Sequence, residues 1–213
     1  MKIVMGAGVF LVILVFTEVL RRWLRIRHEL LRKVAHVCSG IAVVFLVRLF
    51  TVREIMFLTS GFAVFLVISK YSGWLPGIHE IGRKSWGEVF YPIGIGLSAF
   101  FFVPENIPAF RFGILVLAFA DALAGIVGES WGKHPITLMG NRKSLEGSAA
   151  FFSAVFLMLL ISRGWSGEFL LSFVAVALLL TLVELFLFSG LDNLLLPVCA
   201  SYLFSLPLPR LFC

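Results

Sequence analysis

Long apolar runs constrain this chain more than anything else in it. Residues 3–20 read IVMGAGVFLVILVFTEVL, with a single acid. Comparable runs fall at 34–50, 55–69, 89–104, 109–127, 148–162, 168–188 and 194–209. A membrane-crossing helix needs roughly 20 apolar residues. In lipid the backbone must satisfy its own hydrogen bonds, so such runs fold as helices, and they lack the alternation of a barrel. Of the 213 residues, 60% are hydrophobic and only 14% charged, too few polar groups to cover a soluble domain of this size. The predicted fold is all-α: a polytopic transmembrane bundle of about 8 helices, within a range of about 7–9. Residues 1–213 read as one integral membrane domain. The third, sixth and eighth runs are short for a full span, so one of them is expected to be tilted, re-entrant or interfacial. No small-residue cleavage site follows the first run, which reads as a retained helix and not a signal peptide.

Charge sets the expected orientation. Arg21, Arg22, Arg25, Arg27, Arg32 and Lys33 follow the first run. Lys70, Arg83 and Lys84 follow the third; Lys133, Arg142 and Lys143 follow the fifth. These are twelve of the 18 basic residues, all on one side of an alternating topology. The positive-inside bias therefore predicts these loops in the cytoplasm and both termini outside. The net charge of +6 is explained by that topology, so no nucleic-acid partner is implied. Cys38, Cys199 and Cys213 are scattered, with no zinc spacing and no disulfide framework. No inverted repeat of the transporter kind is visible.

Embedded acids mark the chemistry. An acid inside a membrane helix is costly and points to function. Asp121 lies in the fifth run, seven residues before Gly128, roughly 10 Å below the expected helix end at 1.5 Å per residue. Small residues follow it at Ala122, Ala124, Gly125 and Gly128 and permit close approach. Glu184 is embedded at a similar depth in the seventh run. Asp192 and Asn193 fall at its cytoplasmic end, and Glu88 at the cytoplasmic start of the fourth run. Acids converging on one level, with phosphate near, suit Mg²⁺, which takes one or two carboxylates plus phosphate oxygens. Asp121, Asp192 and Glu88 are the candidate metal ligands. The competing reading is ordinary interfacial acids and a packing pair.

Between the fifth and sixth runs lies the most polar stretch, GESWGKHPITLMGNRKSLEGS, residues 128–148. It reads as a cytoplasmic nucleotide-binding loop. Gly128, Gly132 and Gly140 permit turns whose N–H groups face an anion, and Lys133, Arg142 and Lys143 supply charge. Ser144 is placed to cap the sixth helix and so to bring its N-terminus to the site. Topology and lipid headgroups alone would also account for a basic loop. A P-loop is excluded: Gly128 to Gly132–Lys133 is one residue too short, His134 replaces the Ser/Thr, and no strand precedes it. On the second run Arg32, Lys33, His36 and Gly40 follow helical spacing, a stripe fit for phosphate or a buried hydrogen-bonded His. His28, His79 and His134 form no catalytic constellation. Tyr91–Pro92 with Gly94 and Gly96 marks an adaptable helix near the lipid substrate.

These residues resemble a known superfamily. Asp121-Ala-Leu-Ala-Gly-Ile-Val-Gly128, then Gly132–Lys133, then Lys143-Ser-Leu-Glu-Gly-Ser148, is similar to the signature of membrane CTP-using enzymes. Those include CDP-diacylglycerol synthases and the CTP-dependent kinases of dolichol, phytol and diacylglycerol. Arg32–Lys33–His36, Glu88–Tyr91–Pro92 and Leu191-Asp-Asn-Leu-Leu-Leu-Pro197 resemble the polyprenol/phytol kinase branch. The synthases usually carry a Ser-Pro-Lys-Lys-Thr-type run and a C-terminal Asp-Arg-x-Asp pattern. Here Asn141-Arg-Lys-Ser-Leu-Glu-Gly and Leu191-Asp-Asn stand instead, which favours the kinase branch.

The resemblance implies a CTP-dependent kinase acting on a membrane lipid alcohol at the cytoplasmic face, with Mg²⁺ as cofactor. CTP is expected at Gly128, Gly132, Lys133, Arg142, Lys143, Ser144, Gly147 and Ser148. Asp121, Lys143 and Glu146 are the expected catalytic residues, with Asp121 or Glu146 orienting the lipid hydroxyl. Arg32, Lys33, His36 and Tyr91 are expected to meet the lipid or its phosphate. Cytidylyl transfer to phosphatidate is the alternative, and an anion transporter or flippase a second.

Overall fold

A computed structural model describes residues 1–24, 28–74, 86–138, 141–164 and 167–207. Arg25, Arg27, His79, Arg83, Lys84, Gly140, Arg210 and Cys213 lie outside the described residues, as does the side chain of Arg142. Eight helices are described: α1 (Lys2–Leu24), α2 (His28–Leu46), α3 (Val52–Ser72), α4 (Gly87–Phe102), α5 (Ile107–Trp131), α6 (Leu145–Arg163), α7 (Gly167–Phe186) and α8 (Leu191–Ser205). A short hairpin, β1 (Pro135–Leu138) and β2 (Asn141–Ser144), joins α5 to α6. The all-α bundle expected from hydropathy is therefore observed. Six helices, α1, α2, α3, α5, α6 and α7, are long and apolar enough to cross a membrane. The large apolar side chains they turn outward, among them Phe45, Phe57, Val64, Ile161 and Leu171, suit a lipid surface.

Capping explains where the helices begin and why two expected lengths change. Thr51 and Glu54 form a reciprocal capping box, and Gly73 closes α3 at φ +70°, so α3 runs for 21 residues. Ser144 caps α6 and starts it three residues before the apolar run, giving 19 residues. The third and sixth helices are thus of spanning length. The short ones are α8, as expected, and α4, with 15 and 16 residues. At 1.5 Å per residue α4 is about 24 Å long, below the roughly 30 Å hydrocarbon thickness.

The core sits around α5. Asn106 caps its first turn by accepting from the Ala109 N–H at 3.0 Å, with Pro108 behind it. A π turn at Val116–Ala120 interrupts the helix immediately before Asp121. Such turns insert a residue into the helical ladder and recur at functional sites. Helix α5 packs on α2, α6 and α8, while α4 lies between α3 and α8. Phe110, Leu117, Phe151, Leu159, Phe173, Leu180 and Leu196 are fully buried at these contacts. Pro197 cannot donate to the Asn193 carbonyl. That carbonyl lies directly against Gly94 of α4, where a side chain would not fit.

Candidate active site

The segment read as a single loop has three parts. Gly128–Trp131 is the last turn of α5, Pro135–Leu138 and Asn141–Ser144 are the strands of the hairpin, and Leu145–Ser148 is the first turn of α6. In the hairpin Ile136 pairs with Lys143 and Pro135 with Ser144. The Leu145 N–H donates to the His134 carbonyl at 3.0 Å and closes its base. Ser144 Oγ accepts from the Gly147 N–H at 3.1 Å, the cap that the sequence predicts. The glycines differ from expectation. Gly128 lies inside α5 and makes no turn; its role is close packing. A Cβ on Gly147 would stand 2.8 Å from the Ala124 carbonyl and 3.3 Å from Gly128 Cα. Gly132 ends the helix, its N–H donating to the Gly128 carbonyl at 3.2 Å.

Beneath the hairpin, five ionisable side chains from five elements share one field. They are Arg32 of α2, Asp121 of α5, Lys143 of β2, Glu184 of α7 and Asp192 of α8. Asp192 and Glu184 repel Asp121, while Lys143 and Arg32 attract it. Lys143 reaches down to Glu184: its Nζ donates to Oε1 at 2.5 Å and also to the Glu184 carbonyl. Glu184 is 6% exposed, and its Oε2 has no hydrogen-bond partner among the described residues. Arg32 is 8% exposed; one terminal nitrogen donates to Glu29 at 2.7 Å, and its Nε has no such partner. Ser148 Oγ is likewise buried without a partner. The Asp192 carboxylate accepts from the Asn193 N–H at 2.9 Å. The Asn193 side chain donates to the Gly87 carbonyl at 2.8 Å, which ties α8 to the start of α4.

The other expected site residues are distributed around this cluster. Lys33 lies across Gly125 and pairs with Glu129 at 2.9 Å. Glu129, eight residues beyond Asp121 on α5, was not legible as a partner from spacing alone. Glu146 is bound to His134, Nδ1 to Oε1, at 2.7 Å on the exposed side of the hairpin. Lys133 is exposed. His36 stacks on Tyr91 with ring centroids 4.1 Å apart. The Tyr91 hydroxyl donates to the His36 carbonyl at 2.7 Å and accepts from Ser39 Oγ at 3.2 Å. Glu88 pairs with Lys70 at 2.6 Å, and the Lys70 ammonium stands 4.6 Å from the Trp86 ring centre. Glu88 is not among the strongest charges acting on Asp121.

The cluster brings carboxylate oxygens, the donor type a hard cation takes, beside the Lys143 and Arg32 cations. Among the described residues no three His, Cys, Asp or Glu side chains are grouped closely enough to hold a metal by themselves. Mg²⁺ does not need such a group when phosphate oxygens complete its shell. Asp121 and Asp192 act on one another, whereas Glu88 is paired with Lys70.

Fold and site define an integral membrane helix bundle with a partly buried cluster of ionisable side chains next to a basic hairpin. The chain is similar to a phytol kinase of Synechocystis sp., 32% identical over 176 residues, 80% of this chain and 76% of that protein. It therefore belongs to the polyprenol/phytol kinase branch of the membrane CTP-transferase superfamily. It is also similar to an uncharacterized protein of Methanocaldococcus jannaschii, 28% identical over 191 residues, 83% of this chain and 93% of that one. No family model and no solved structure matches it.

Proposed function

We propose that this protein is a CTP-dependent kinase of a membrane lipid alcohol, of the phytol, geranylgeraniol, polyprenol or dolichol type. The observation that carries the proposal is the pairing of a phytol kinase relative with a partly buried carboxylate–cation cluster next to a basic hairpin. The nucleotide phosphates would lie at the start of α6, against Lys133, Arg142 and Lys143. There the positive end of the α6 dipole favours an anion. Asp121 and Asp192 would hold Mg²⁺, which when bound offsets phosphate charge during transfer.

Depth explains why Asp121 lies inside α5 and not at its end. A lipid alcohol cannot lift its hydroxyl far from the bilayer, so the reacting groups must sit below the helix ends. Asp121 is ten residues before the end of α5, about 15 Å at 1.5 Å per residue. That is deeper than the apolar run alone implies. The stripe of Arg32 and His36, steadied by Tyr91, borders the same space and would face the lipid head. Positive charge at this end of the bundle supports a cytoplasmic site. Glu146 is held by His134 on the exposed side of the hairpin, so we assign it no contact with the lipid hydroxyl.

The test uses purified protein, CTP labelled on its γ-phosphate, and a panel of phytol, geranylgeraniol, dolichol and phosphatidate. Label in an alcohol, with CDP as coproduct, is the expected result. Pyrophosphate release with phosphatidate and no labelled lipid would establish cytidylyl transfer instead.

A further inference from the structure

The kinase reading leaves one buried group without a task. Glu184 has one carboxylate oxygen on Lys143 at 2.5 Å and the other buried with no hydrogen-bond partner among the described residues. It stands in the field of Asp121 and Asp192. Lys143 comes from β2, forty-one residues away, and is held by both the carboxylate and the carbonyl of Glu184. A lysine that would meet phosphate in the working enzyme is thus tied to an acid in the substrate-free protein. Arg32, whose Nε is also buried without a hydrogen-bond partner among the described residues, acts on the same Asp121. An unsatisfied acceptor and an unsatisfied donor beside one carboxylate fit a ligand that brings both a hydroxyl and an anion.

We propose that Glu184 takes the proton from the lipid hydroxyl, and that Lys143 masks it until nucleotide phosphate draws the lysine away. This rests on the kinase reading. Phosphate competes for the Lys143 ammonium, and Glu184 loses its cationic partner just as the second substrate is needed. The freed carboxylate then accepts the hydroxyl hydrogen bond. In transfer, the hydroxyl oxygen forms a bond to the γ-phosphorus and its proton passes to Glu184. The bond from the γ-phosphorus to the bridging oxygen breaks, with its electron pair leaving on CDP. Glu184 returns the proton to water as product departs, and Lys143 closes back onto it.

The proposal predicts opposite effects on binding and on turnover. Glu184→Gln keeps the shape of the side chain but loses the charge that holds Lys143. Turnover with lipid alcohol should fall roughly 100-fold or more, the scale of a lost general base. CTP should bind more tightly, and the KM for the alcohol should hold. Glu184→Asp keeps the charge and should be intermediate in turnover, with CTP affinity near that of the wild type. A purely structural role would weaken binding and turnover together and would overturn the proposal, as would Gln turnover near the wild-type rate. The wild type supplies a test that needs no substitution. A membrane-soluble carbodiimide should label Glu184 faster when a non-hydrolysable CTP analogue is present, read by peptide mass spectrometry. Labelling that is unchanged or slowed by the analogue overturns the masking. Wild-type protein that labels no lipid alcohol would defeat the kinase reading itself, a different result from either.

Discussion

Gly147 of α6 rests on Gly128 of α5, and together they let the two helices touch through their backbones. The contact sets the start of α6, with its capped N-terminus, beside the end of α5. A methyl on Gly147 would press on the Ala124 carbonyl at 2.8 Å, which is backbone and cannot swing aside. Gly125, one turn below Gly128, has the flexible end of Lys33 as its nearest neighbour, with Cε at 2.7 Å from a built Cβ.

The two glycines should therefore respond differently to alanine. In a helix interior Gly→Ala gains about 1 kcal/mol of propensity. At Gly125 that gain should roughly offset the displacement of Lys33, leaving the melting temperature in detergent close to wild type. At Gly147 overpacking should cost about 1–3 kcal/mol and dominate. Equal melting temperatures for Gly125→Ala and Gly147→Ala would mean that the helices part easily here and that the backbone contact matters little.

Ser144 carries two burdens. It caps α6 through the Gly147 N–H at 3.1 Å, and it packs beside Gly128 and Gly132. Loss of a cap costs about 1 kcal/mol. Ser144→Ala should lose about that much in denaturant titration and should also weaken CTP binding, because the first turn of α6 frays. Ser144→Asp restores a capping acceptor, so stability should recover. CTP binding should not, since a carboxylate there repels phosphate. Recovery of both would separate this turn from the nucleotide.

Much of the fold is visible in the sequence because hydropathy alone separates lipid-crossing runs from their connections. Helix ends are less visible: Ser144 stands out as a cap, but Thr51 and Glu54 are polar residues whose contribution lies in capping rather than in hydropathy. The hairpin is hidden for a similar reason. Its strands have four residues each, too short for alternation to register, and the stretch reads as a loop. Asp121 and Glu184 are legible as embedded acids, and Asp192 and Glu88 as acids at the cytoplasmic helix ends. Their partners are not, because Lys143 to Glu184 spans forty-one residues and Lys33 to Glu129 ninety-six. Glu146 shows the limit most clearly. It lies in the signature run, yet it faces His134, a contact set by the hairpin and invisible in spacing.

Tyr91 braces α2 through its hydroxyl. It donates to the His36 carbonyl and accepts a share of the single Ser39 hydroxyl hydrogen, whose shorter bond is to the Ala35 carbonyl at 2.6 Å. Tyr91→Phe keeps the stacked ring and removes one hydroxyl from a buried network. Stability should fall by about 0.5–1.5 kcal/mol. Because His36 keeps its ring contact, the KM for lipid alcohol should stay close to wild type. A large rise in that KM would show that the hydroxyl itself meets the substrate.

Asp121 and Glu88 supply the sharpest contrast, since spacing alone ranks both as metal ligands. Asp121 shares its field with Asp192, Glu184, Lys143 and Arg32, while Glu88 pairs with Lys70 beside Trp86. If Mg²⁺ is held by Asp121 and Asp192, Asp121→Asn should lower turnover by roughly 100-fold or more, with saturation shifted to higher Mg²⁺. Glu88→Gln should leave the Mg²⁺ concentration at half-maximal rate unchanged. It should instead lower the melting temperature, because the buried partner of a charge is removed. A Mg²⁺ titration of both variants at matched folded fraction decides the matter. A shifted Mg²⁺ requirement in Glu88→Gln would bring α4 into the metal site, and undiminished turnover in Asp121→Asn would remove α5 from it.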